Sequence, residues 1–73
     1  MNYYILIFNS THKVLKAEQL LLSAKVKLDI IPTPKEITSD CGMSIRILVS
    51  LHKRSEFAEI LENNNIEFSV YEK

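Results

Sequence analysis

Residues 3–24 read YYILIFNSTHKVLKAEQLLLSA, and this stretch decides the fold. Its opening run, Tyr3 to Phe8, is dominated by β-branched and aromatic residues, and both alternating sets are apolar. That pattern predicts a central strand covered on both faces. Asn9, Ser10 and Thr11 stop the run, and Ser10 or Thr11 suits the N-cap of a helix. From there to about Ala24, Val14, Ala17, Leu21 and Ala24 fall on one stripe widened by Leu20, while Lys13, Lys16 and Gln19 lie away from it. This is an amphipathic helix with no glycine or proline to interrupt it.

Working outward, the chain repeats the theme. Residues 27–31 alternate and predict a second strand, ended by Pro32 and Pro34, which cannot donate to a ladder. Residues 32–43 form the longest loop and hold both prolines and the single glycine. Residues 44–49 predict a third strand, with Ile45, Ile47 and Val49 on one face and Ser44, Arg46 and Leu48 on the other. A second helix is expected from about Lys53 to Asn63, with Phe57, Ile60 and Leu61 inward, and Asn63, Asn64 and Asn65 make a helix stop. Ile66, Phe68 and Val70 alternate with polar neighbours in a final strand. Two right-handed βαβ units in this order give an α+β, ferredoxin-like βαββαβ two-layer sandwich with a four-stranded antiparallel sheet. One domain is expected over residues 1–73.

Composition narrows the function classes. The chain is 47% hydrophobic and 25% charged, values of a globular domain rather than a disordered one. Nine basic and nine acidic residues balance, which counts against nucleic acid as a partner because that affinity rests on phosphate neutralisation. One cysteine permits no internal disulfide, unlike most small secreted domains. The first apolar run lacks a basic flank and is too short for a signal peptide or a membrane span, so a cytoplasmic location without membrane contact is expected. One Cys and two distant His give no metal-ligand spacing, and no metal is expected.

The topology concentrates chemistry at one end of the sheet. The first strand's exit, the start of the first helix and the loop between strands two and three share that end, so Cys41 is expected near Asn9, Ser10, Thr11 and His12. A helix start favours negative charge, and the thiolate is the reactive form of cysteine. His12, if protonated, adds to this, whereas the charge of adjacent Asp40 opposes it. Gly42 is expected to permit a tight turn and close approach by another molecule.

Phe8-Asn9-Ser10-Thr11-His12, residues 31–37 with their Pro32-Thr33-Pro34-Lys35 core, and Ser39-Asp40-Cys41-Gly42 resemble the selenium/sulfur carrier-like family of small bacterial proteins. The likeness covers essentially the whole chain and is most specific from Pro32 to Gly42. It departs at Lys35 and Asp40, where the family usually shows arginine and serine. Lys35 keeps the charge without the bidentate fork. The resemblance implies a carrier rather than a complete enzyme, holding sulfur or selenium on Cys41 as a persulfide or selenopersulfide, with no separate cofactor. Donor and acceptor proteins are the implied partners. Ser10, Thr11, His12, Pro32, Thr33, Pro34, Lys35 and Gly42 are the residues expected to surround the carried atom.

Other readings stand beside this one. The same loop edge suits a non-catalytic module that binds a protein or small ligand, with Cys41 structural. His52, Lys53 and Arg54 form a short basic cluster, either a solvated turn or a docking point for an acidic partner. Tyr3, Tyr4, Leu6 and Phe8, joined by Leu48, suggest an apolar sheet face without helices and hence a homodimer or partner surface. An RNA-recognition fold has the same element order, but the third strand carries no aromatic residue.

Overall fold

The computed structural model describes residues 2–36 and 42–72. Its elements are β1 (Tyr3–Ile7), α1 (Thr11–Ser23), β2 (Asp29–Pro32), β3 (Met43–Leu48), α2 (Arg54–Asn63) and β4 (Ser69–Glu72). The sheet order is β2-β3-β1-β4, with every neighbouring pair antiparallel. This is the ferredoxin-like α+β arrangement that the sequence predicts. No helix among the described residues is long and apolar enough to cross a membrane.

Both helices lie on one face of the sheet. Val14, Ala17 and Leu21 of α1 and Phe57 and Leu61 of α2 pack with Leu6, Phe8, Ile45 and Ile47 in one buried cluster. Tyr4 meets Phe57 edge-on at 5.3 Å between ring centroids, and Phe8 faces Phe68 at 6.4 Å. Such aromatic pairs add about 0.5–1.5 kcal/mol beyond the area they bury. Tyr4, Leu6 and Phe8 therefore belong to the helix-covered face, not to the bare one where the sequence reading grouped them with Tyr3. The period of two sends Tyr3, Ile5 and Ile7 the other way.

The bare face is less open than the sequence suggests. Ile5 is 1% exposed although no helix covers it. Its cross-strand neighbour is Arg46, whose guanidinium lies 5.6 Å from the Tyr3 ring centroid and bonds Asp29 at 2.8 Å. Arg46 thus reaches from its place opposite Ile5 toward Asp29 of β2, with its Nε buried and without a hydrogen-bond partner among the described residues. Tyr3 and Ile31 pack against Ile5 and Ile7, completing a small second cluster.

Strand boundaries shift by a few residues from the sequence reading, two of them for a clear local reason. β2 includes Pro32, which pairs with Met43. Thr33 N–H donates to Gly42 C=O at 3.1 Å, so alternation turns the Pro32 nitrogen outward, where the missing N–H costs no ladder bond. β4 begins at Ser69 rather than Ile66 because Ile66 is used to end α2. Its N–H bonds Leu61 C=O at 3.0 Å, and Asn65 N–H bonds Glu62 C=O at 3.1 Å. α1 ends the same way, with Val26 N–H on Leu21 C=O at 2.9 Å and Lys25 N–H on Leu22 C=O at 3.0 Å. These are paired Schellman motifs, each with a left-handed residue, Lys25 at φ 64° and Asn65 at φ 58°, followed by a buried aliphatic.

The two left-handed positions are not chemically equal. Asparagine tolerates that region; lysine pays for its Cβ there. Lys25→Gly is therefore expected to raise stability to urea by about 0.5–1 kcal/mol, and Asn65→Gly by less. Matched urea titrations of the two variants check this, and an equal gain at both positions would contradict the strain argument.

Candidate functional site

The register of β1 defines one end of the sheet. Ile7 opposes Ser44, and Pro32 opposes Met43. The chain leaves β1 through Phe8 and Asn9 and enters α1 at the level where the loop after Pro32 departs and returns at Gly42. Ser10, Thr11 and His12 at the start of α1 and Pro32, Thr33 and Gly42 at the base of the loop thus lie at the same end of the sheet. Pro34 is half-buried and Lys35 is exposed just beyond the ladder. Cys41, together with Ile37, Thr38, Ser39 and Asp40, lies outside the described residues.

Ser10 caps α1. Its backbone is extended, and its Oγ accepts from Lys13 N–H at 3.3 Å. The first turn of α1 contains no acidic residue, and His12 and Lys13 stand in it. The positive end of the helix dipole is thus reinforced rather than cancelled by its own side chains. His12 is exposed, as its position in a first turn predicts.

A polar pair that sequence reasoning missed ties down the base of the loop. Ser44 is 0% exposed, and its Oγ lies 2.7 Å from Thr33 Oγ1. The bond joins the residue that follows β2 to the second residue of β3. Together with the Thr33–Gly42 backbone bond it fixes where the loop leaves and re-enters the sheet. The available signal was a hydroxyl residue on an otherwise apolar-rich strand, set on the face that carries Ile7.

Gly42 needs a different account from the one its residue type suggests. It does not adopt a positive φ, and a Cβ built on it would meet nothing within 4 Å. No turn geometry demands glycine there, so what remains of the sequence reading is open space beside the loop end.

His52 stands elsewhere, after β3 at the opposite end of the sheet. Its Nε2 accepts from Lys27 N–H at 3.0 Å, and its Nδ1 pairs with Glu56 at 2.9 Å. The ring bridges the segment before β2 to the first turn of α2, so in the basic cluster His52 is a structural link. Among the described residues no group of three or more His, Cys, Asp or Glu is placed to hold a metal ion.

The Thr33–Ser44 bond carries the prediction for this region. Thr33→Val and Ser44→Ala are each expected to cost about 1 kcal/mol, and the double variant less than their sum, with a coupling of about 0.5–1.5 kcal/mol. A double-mutant cycle in urea measures it; strict additivity would mean the bond does not anchor the loop.

Comparison with known proteins gives one match. A family model described as "Putative Se/S carrier protein-like" matches residues 3–72. No curated protein and no solved structure matches the chain.

Proposed function

The chain belongs to the Se/S carrier-like family, and from that premise we propose that it holds a sulfur or selenium atom on Cys41 and yields it to a partner protein. The observation that carries the reading is the family match across almost the full chain, which includes the loop from Pro32 to Gly42. A second support is electrostatic. The loop base shares the sheet end with the start of α1, whose first turn holds His12 and Lys13 and no carboxylate. An anion presented there gains from the helix dipole.

The chemistry is thiol exchange and balances without an external oxidant. The Cys41 thiolate attacks the terminal sulfur of a donor persulfide, a new S–S bond forms, and the donor thiolate leaves. An acceptor nucleophile then attacks that terminal sulfur, and Cys41 departs as the thiolate again. Selenium follows the same course through a selenopersulfide. Ser10, Thr11 and His12 would stabilise the anion, while Pro32, Thr33, Pro34, Lys35 and Gly42 would shape the approach of donor and acceptor. Lys35, exposed beside the loop, supplies a cation that either partner could meet.

Incubation with a cysteine desulfurase and free cysteine, followed by intact-mass analysis, tests the proposal. One reducible sulfur adduct is expected on the native chain and none on Cys41→Ser. Absence of the adduct from the native chain, or its persistence after Cys41→Ser, would favour the non-catalytic binding module instead.

A further inference from the structure

The outer flank of α2 and the edge strand β4 enclose a groove of about 560 Å³, lined by Arg54 and Glu62 and by the strand segment that includes Phe68, Ser69 and Val70. β4 pairs with β1 alone, so its other edge presents unpaired backbone groups. The opposite edge of the sheet is blunted by the outward nitrogen of Pro32; β4 contains no proline.

The charges along this edge are ordered. Arg54 opens α2, Ala58 follows four residues later, and Glu62 four residues after that, so the three form one stripe. Arg54 and Glu62 are exposed, and among the described residues neither joins an ion pair. Ala58, half-buried between them, leaves room for a second surface to come close. The stripe is positive at one end, small in the middle and negative at the other. A two-fold axis across its centre sets each end against its opposite.

We propose that this edge docks a second copy of the chain about a two-fold axis, with Arg54 of each copy facing Glu62 of the other. Antiparallel pairing of the C-terminal halves of the two β4 strands completes the contact; these halves lie level with the middle of α2, because Phe57 meets Tyr4 and Tyr4 pairs with Glu72. The paired strands form a continuous eight-stranded sheet, and the free backbone edge disappears. The bare sheet face, where Arg46 already covers Ile5, is left out of this contact. The proposal is independent of the carrier chemistry on Cys41.

Sedimentation velocity over a concentration series tests it, with circular dichroism confirming that each variant is folded. The native chain is expected to form a dimer at about 100 µM, a range typical of modest interfaces. Arg54→Glu and Glu62→Lys, each placing like charges in contact, are expected to weaken the dimer by about tenfold or more. An equimolar mixture of the two single variants restores both opposite-charge contacts and is expected to regain the native affinity within about threefold. A native chain that stays monomeric throughout, single reversals without effect, or a mixture that does not recover would each overturn the proposal.

Discussion

β1 is the constraint from which the rest of the structure follows. It pairs on one side with β3 and on the other with β4, and Ile5, Leu6, Ile7 and Phe8 are all nearly or fully buried. Full burial of an apolar side chain of this size is worth about 1.5–3 kcal/mol, so four in a row in a chain this small make β1 and its exit the main hydrophobic anchor. The two faces are covered by different means. Helices cover Leu6 and Phe8; Arg46, Tyr3 and Ile31 cover Ile5 and Ile7. Because β1 is central, its exit is surrounded by other elements, and that exit is where α1 begins and the loop between β2 and β3 meets the sheet.

The coverage by Arg46 changes what the second face can do. An uncovered sheet of isoleucine and tyrosine would be a strong association surface. Arg46 instead lies across it, held at one end by Asp29 and over Tyr3 by cation–π attraction. The Asp29 pair is surface-exposed, and its own contribution to stability is small, about 0–1 kcal/mol. Its value is positional, since together with the Tyr3 contact it holds the guanidinium across the strands beside Ile5. A charged residue at that register converts an adhesive face into a self-sealed one. The unsatisfied surface of the molecule then moves to the strand edges.

Much of this was legible in the sequence because the signals were periodic. The doubly apolar run at Tyr3 to Phe8 and the stripe of Val14, Ala17 and Leu21 announce a buried strand and its covering helix without reference to anything distant. The same holds for Ser10 as N-cap, confirmed by its bond to Lys13. What was illegible depends on partners far along the chain. His52 reads as part of a basic cluster, yet its bond to Lys27 spans a sequence separation of 25 residues. Ser44 reads as an ordinary strand residue until Thr33 is brought beside it. The face assignment of Tyr3 against Tyr4 could not be read either, because alternation separates the two sets without saying which one the helices choose. At the site, the topology sets the helix start and the loop base at one end of the sheet, while the role proposed for Cys41 rests on family membership rather than on geometry.

The two helix ends show how closely the halves of the fold solve the same problem, and why they need not use the same residues. Leu21, Lys25 and Val26 in the first half correspond to Leu61, Asn65 and Ile66 in the second, each pair forty residues apart. In both, a left-handed residue reverses the chain so that the next aliphatic drops back into the core. The backbone geometry is thus imposed by the need to bury Val26 and Ile66, and the residue at the turn is secondary. Lysine survives there because burial of the following side chain outweighs a strain of about 1–2 kcal/mol. The same balance explains the different strand starts. Where the reversal ends, the chain must cross back over the sheet edge before it can pair, so β2 and β4 both begin late and stay short, four residues each. Short edge strands limit how much backbone is left unpaired. Of the two, β2 is closed further by Pro32 on its outward side, which leaves β4 as the edge whose unpaired backbone groups are able to complete a ladder.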